Sequence, residues 1–180
     1  VEKHYGSGDG SGERIMNPTT DIHLAEGASL EMETVQIKGI DSTERTTTAE
    51  VAEGASLVIK EKIMTHGKQY AGTDFTVNMA GADSSVNLIS RSVAKEHSRQ
   101  IFRSRIVGNA SCHGHSECDA IIMDEASVSA IPELTANHID ANLIHEAAIG
   151  KIAGEQMIKL MTLGLTEKEA EEQIVKGFLK

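Results

Sequence analysis

Ala25-Glu26-Gly27-Ala28-Ser29-Leu30 returns almost letter for letter as Ala52-Glu53-Gly54-Ala55-Ser56-Leu57. Looser copies follow at Ala80-Gly81-Ala82-Asp83 and Gly108-Asn109-Ala110-Ser111, which puts glycine on a grid of 27 residues: Gly27, Gly54, Gly81, Gly108. A fixed period of roughly 20–45 residues marks a solenoid, because one such unit cannot bury its apolar face alone and stacks on the next. Between the glycine steps apolar residues fall two apart: Ile22 and Leu24, Leu30 and Met32, Leu57 and Ile59, Phe75 and Val77, Val86 and Leu88. Period two is the strand signal, and the Gly-Ala-Ser steps are turn chemistry. Stacked strand–turn–strand units give parallel strands, whose crossovers are overwhelmingly right-handed. The expected architecture is mainly β, a right-handed parallel β-helix. A β-sandwich also has short alternating strands, but it does not require a strict period.

Composition agrees with thin, repetitive layers. Of 180 residues, 39% are hydrophobic and only 3% aromatic, with no Trp. The core must come from Ile, Val, Leu, Met and Ala. A net charge of −10 argues against nucleic-acid binding, which needs a basic face. No apolar run reaches the ~18 residues of a membrane span. Cys112 and Cys118 form no secreted disulfide framework, so a reduced, cytoplasmic setting is expected.

The chain starts at Val1 without an initiator Met, and residues 6–12 read Gly-Ser-Gly-Asp-Gly-Ser-Gly. Residues 1–19 are therefore expected to be a flexible segment of a truncated chain. The β-helix core is expected over 20–143. Arg91, Lys95, Arg99 and Arg103 lie four apart, but no apolar stripe accompanies them, so 92–105 reads as strand and loop. A helical subdomain is expected over 144–180. Met157, Ile158, Leu160 and Met161 precede Gly164, a C-cap signal. Thr166-Glu167-Lys168-Glu169 is a capping box, and Ala170, Ile174 and Phe178 follow four apart. The two helices make a hairpin that closes the open end of the solenoid or docks a partner.

Chemistry concentrates in Cys112-His113-Gly114-His115-Ser116-Glu117-Cys118-Asp119. Thiolates, imidazoles and carboxylates suit zinc, iron or iron–sulfur species. The spacing fits no standard zinc finger. On a strand, Cys112, Gly114, Ser116 and Cys118 share one side and His113, His115, Glu117 and Asp119 the other. The plain reading packs each cysteine as a small hydrophobe. His145-Glu146 is a second cluster, either a metal or proton-transfer pair or a polar turn. Gly67-Lys68 lacks the rest of a Walker A loop, so no ATPase motif of its own is expected.

Residues 98–180 resemble the carboxy-terminal part of the SufB/SufD family of iron–sulfur cluster assembly proteins. Four segments carry the resemblance: Ser98-Arg99-Gln100-Ile101-Phe102-Arg103, Glu117-Cys118-Asp119-Ala120-Ile121-Ile122-Met123, Ile131-Pro132-Glu133-Leu134 with Asn137, and His145-Glu146-Ala147-Ala148-Ile149-Gly150-Lys151-Ile152. The resemblance implies a β-helix core, a helical carboxy-terminal part and a non-enzymatic scaffold working with a SufC-type ATPase. It implies cluster-assembly roles for Cys118, Glu146 and His145. Cys112, His113 and His115 are additions that can supply further ligands. It implies ATPase contacts on the helix faces holding Met157, Met161, Ile174 and Phe178, shared with core closure. It implies a transient iron–sulfur cluster, a sulfur donor, reduced flavin in the full complex, and pairing as a homodimer or a SufB/SufD-type heterodimer. Two other functions compete. One is a β-helical zinc enzyme of carbonic-anhydrase type, which requires three histidines from neighbouring turns. The other is a purely structural solenoid.

Overall fold

The computed structural model describes residues 12–37 and 39–180, together with the backbone of Glu2–Lys3. Strands run in the order β1 (Glu2–Lys3), β2 (Ile15–Met16), β3 (Thr19–Leu24), β4 (Ser29–Gln36), β5 (Ser42–Val51), β6 (Ser56–Thr65), β7 (Tyr70–Met79), β8 (Ser84–Ala94), β9 (Arg99–Gly108), β10 (Cys112–Ile122), β11 (Ser127–Ala136) and β12 (Ala141–Gly150). Two helices follow, α1 (Gly154–Thr162) and α2 (Glu167–Phe178). One sheet has the order β1-β4-β6-β8-β10-β12; the other has β11-β9-β7-β5-β2, with β3 also on β5. Every pairing is parallel, so the chain is a parallel β-solenoid of about five turns, two long strands to a turn.

The turns are not of equal length. Ser29 pairs with Ser56, 27 residues on, but Ser56 pairs with Ser85, 29 residues on. The grid of 27 therefore holds only at the start and drifts. One corner column is Gly27, Gly54 and Asp83, all at positive φ (65°, 61° and 57°). Their amides bond up the stack, Gly27 N to Glu53 O at 2.8 Å, Gly54 N to Ala82 O at 2.8 Å and Asp83 N to Ser111 O at 2.7 Å. Gly81 falls out of this column. It is small for another reason: a Cβ there would lie 1.9 Å from the Glu53 amide nitrogen. Gly108 is a strand residue, and its Cβ would lie 2.9 Å from Cys112 Sγ.

The opposite corner column is Gly39, Gly67, Glu96 and Asp124, again at positive φ. Side chains hold the two non-glycine members. Gly67 N donates to Glu96 Oε2 at 2.6 Å, and Glu96 N donates to Asp124 Oδ2 at 3.1 Å. Each carboxylate accepts the amide of the corner one turn back, which offsets the left-handed strain. Along the outside, Asn137 donates to Asn109 at 2.7 Å, Asn109 to Asn78 at 2.5 Å, and Asn78 to Glu50 at 2.6 Å.

Inside, alternate residues from both sheets meet. Val51, Leu57, Ile59, Phe75, Val77, Met79, Leu88 and Ile106 are buried, and Phe75 meets Phe102 edge to face with centroids 5.9 Å apart. Each such aliphatic side chain contributes roughly 1.5–3 kcal/mol by leaving water. The rest of the interior is polar. Arg45, Glu61, Thr73, Ser90, Gln100, Ser104 and Ser116 are all buried.

Several sequence expectations need correction. The flexible reading of 1–19 falls partly outside the described residues, at Val1 and 4–11; of the remainder, Ile15–Met16 and the first residue of β3 pair with β5. Strand β12 continues to Gly150, past the 144 expected to begin the helical part, and the first helix starts at Gly154. The helices do not close the last turn. Helix α2 folds back beside the first sheet: Lys95 pairs with Glu171, Lys62 Nζ donates to the Lys180 carbonyl at 2.8 Å, and Val175 and Leu179 line a cleft with Ile37 and Met64. The capping box is present, with Thr166 Oγ1 accepting from Glu169 N at 3.3 Å and Thr166 N donating to Glu169 Oε2 at 2.8 Å. Gly164, at φ 95°, ends α1.

Gly27→Ala meets open space and only backbone strain, so it should cost about 1–2 kcal/mol. Gly81→Ala collides with main chain and should cost more than about 3 kcal/mol. Denaturant unfolding of the two variants checks the order.

Candidate functional site

Strand β10 carries the cluster, and its neighbours set which way each side chain faces. Cys112, Gly114, Ser116, Cys118 and Ala120 point in; His113, His115, Glu117 and Asp119 point out. In the register with β12, Ser116 lies beside His145, Glu117 beside Glu146 and Cys118 beside Ala147. Partners in register share a face. His145 therefore sits on the inner face with Cys118, while Glu146 stands on the outer face with Glu117. The strand itself separates the thiol from the carboxylate that the sequence resemblance grouped with it.

On the inner side Cys118 is 1% exposed. Burial first, then the charges of Glu61 and Asp119, push its thiol up to about 12. It is a neutral thiol at pH 7. Glu61, 2% exposed, accepts from Thr73 Oγ1 at 2.9 Å and from Ser90 Oγ at 2.9 Å. Burial pushes its carboxyl up, against the pull of those bonds and of the Arg45 charge. His145 is half-buried, and its Nδ1 is buried without a hydrogen-bond partner. Burial lowers its imidazole pKa, so the ring is neutral at pH 7. Cys118 and His145 are diagonal neighbours on adjacent strands, about 8 Å apart at Cα. An unpaired nitrogen and a desolvated thiol on one face are a donor set suited to a soft or borderline metal.

Cys112 is also inward and buried, and its Sγ fills the space beside Gly108. Burial pushes its thiol up. Six residues of strand put it about 20 Å from Cys118, too far to share an ion. His113 is exposed on the outer face.

On the outer side, ligand atoms of His115, Glu117 and Glu146 lie within 4.8 Å of one another. His115 Nε2 is 3.4 Å from Glu146 Oε2, and His115 Nδ1 bonds to Asn87 Oδ1 at 3.0 Å. Arg91 Nη2 approaches Glu117 Oε1 at 3.9 Å. Burial and the neighbouring Asp119 carboxyl push the Glu117 carboxyl up. Sequence reasoning placed Glu117 on the side of His115 but did not select it. The missing fact was the register that sets Glu146 directly opposite. The inward Arg45 and Glu61 were also missed, although Glu61 shares its phase with Leu57, Ile59 and Ile63.

On the helices, Met157, Ile174 and Phe178 are half-buried and Met161 is exposed. Beside Met161, Ile158 is 63% and Leu163 72% exposed, two apolar residues outside the expected contact set.

Residues 3–178 match the profile of the SUF system FeS cluster assembly, SufBD core domain. The chain belongs to the SufBD family. It is similar to the iron–sulfur cluster assembly SufBD family protein of Archaeoglobus fulgidus, 32% identical over 92% of this chain and 45% of that protein. The Methanothermobacter thermautotrophicus protein of the same description is 32% identical over 91% of this chain and 41% of its own length. The Methanocaldococcus jannaschii relative is 29% identical over 99% of this chain and 56% of its own length. The chain thus spans about half the length of the curated relatives it matches. SufBD proteins work in iron–sulfur cluster assembly, and the inner face of this SufBD domain carries donors of the matching kind. Among the described residues no helix is long and apolar enough to cross a membrane.

A thiol raised to about 12 in the folded state and ionising near 8.5 when unfolded favours the fold only while protonated. This stabilisation is full below pH 8.5 and is lost as pH climbs towards 12. Cys118→Ser should flatten the fall in stability between pH 9 and 11 relative to the parent, as read from paired denaturant titrations.

Proposed function

We propose that this chain is a non-enzymatic scaffold on which an iron–sulfur cluster is built and then handed on. Family membership supports the general assignment. The observation that carries the specific one is the shared inner face of Cys118 and His145 on the last two strands of their sheet, where His145 has a buried nitrogen with no protein partner. Iron replaces the Cys118 proton, which leaves to water through the open last turn, and His145 supplies nitrogen. A desolvated thiol gives up its proton reluctantly, and this suits a cargo that must leave again. Glu146 faces away from this pair within the chain, so its part in assembly runs through the outer face.

The partners follow the same reading. The last turn is uncapped: Leu134 and Ile149 are exposed, and Ile139 is 95% exposed. A second β-helix subunit, a copy of this chain or a SufB/SufD-type partner, covers that end. A SufC-type ATPase grips the helices at Met157, Met161, Ile174 and Phe178, with Ile158 and Leu163 extending the patch. A sulfur donor delivers sulfide, and reduced flavin serves the full complex, in the cytoplasm. A zinc enzyme with three imidazoles has less support, since the outer cluster offers one imidazole and two carboxylates.

Anaerobic reconstitution of the chain with iron and sulfide should give charge-transfer absorption, and Cys118→Ser or His145→Ala should lose most of it. Unchanged absorption in both variants sinks the inner-face site. Met161→Asp combined with Leu163→Asp should reduce co-purification with a SufC-type ATPase at least tenfold, with circular dichroism unchanged.

A further inference from the structure

We propose that His115, Glu117 and Glu146 form a second site, for a first-row divalent cation such as ferrous iron, on the outer face of the sheet and independent of Cys118. Three observations carry it. First, ligand atoms of three side chains from two adjacent strands converge within 4.8 Å. Glu146 is 68% exposed on its side-chain atoms, so its long stem is free to close the remaining distance.

Second, Glu117 and Glu146 are direct partners in the parallel register. Like charges directly opposite on paired strands repel, and Asp119 stands on the same face two residues along. The nearby protein cation Arg91 touches only one member, at 3.9 Å. A metal ion between the carboxylates removes the repulsion.

Third, His115 is oriented as a ligand. Its Nδ1 lies 3.0 Å from the carbonyl oxygen of Asn87, an acceptor, so Nδ1 carries the proton. That leaves the Nε2 lone pair towards Glu146, 3.4 Å away. A side-chain carbonyl that fixes the far nitrogen of a metal-binding imidazole is the usual supporting contact. One imidazole with two carboxylates favours iron(II), manganese(II), cobalt(II) or zinc(II) over thiol-seeking copper(I). A shallow groove of about 260 Å³, lined by His113, His115, Asn87 and Glu146, leaves room for water ligands.

The site goes beyond the assembly reading, because it needs no thiol and no sulfide. It gives Glu146 work on the face where it stands. The test is anaerobic titration of the full chain with cobalt(II), followed by visible absorption and calorimetry. The Cys118→Ser chain should bind one equivalent, with ligand-field bands and no intense thiolate charge-transfer band. Glu117→Gln and His115→Ala should each weaken binding at least tenfold, and Arg91→Gln should tighten it several-fold. These positions lie on the outer face, and circular dichroism checks that the variants stay folded. Three results overturn the proposal: no binding by the parent, binding lost in Cys118→Ser, or affinity unmoved by both Glu117→Gln and His115→Ala. Failed iron–sulfide reconstitution alongside intact cobalt binding would count against the inner site alone.

Discussion

Parallel pairing in strict register is the constraint on which the rest depends. Each strand bonds to the one a turn earlier and a turn later, so every side chain is committed to the inside or the outside by its neighbours as well as by its own alternation. A slip of one residue in β10 would turn Cys118 out and Glu117 in, and would expose the apolar column that stabilises the stack. Site chemistry and core packing are held by the same ladder of backbone hydrogen bonds.

The interior is not uniformly apolar, and this adds to the specification of register. Glu61 is satisfied by Thr73 and Ser90, one from each neighbouring strand, with the Arg45 charge close by. Gln100 donates to Thr65 Oγ1 at 2.8 Å and to the Val93 carbonyl at 3.0 Å. Ser104 meets Ser116 at 2.9 Å. A buried ion pair adds little net stability, but misplacing one partner leaves an unpaired charge at a cost of several kcal/mol. These contacts penalise wrong registers more than they deepen the right one. They also set the field around Cys118, where the nearby Glu61 carboxyl disfavours a second negative charge.

The two ends of the chain differ in what they leave open. The helices lie along the flank of the first sheet, tied by Lys95–Glu171 and the Lys62 contact with the last carbonyl. The final turn keeps Leu134, Ile139 and Ile149 exposed. A solenoid with an unpaired apolar end is incomplete in physical terms, since stacking is what buries each turn. The inner donors sit beneath that end, so whatever covers it also controls access to Cys118 and His145.

Much of this was legible in the residues. The period-two pattern from Ile22 to Leu88 determined the strands, and the Ala-Glu-Gly-Ala-Ser-Leu duplication determined that they stack. Alternation is local, so the inner and outer sets of 112–119 could be assigned before any strand had a partner. The capping box at Thr166 and the glycine stop at Gly164 were equally local. Cross-strand partnership was not legible, because turn length changes from 27 to 29 residues as corners lose glycine and gain Asp83, Glu96 and Asp124. Those extra residues shift Gly81 off the corner, set Glu146 against Glu117, and put His145 rather than Glu146 on the thiol's side. The sequence by itself determined the kind of fold and the face each donor takes along its own strand. Only the tertiary structure decided which donors meet, because register between strands is a sum over every corner in the stack.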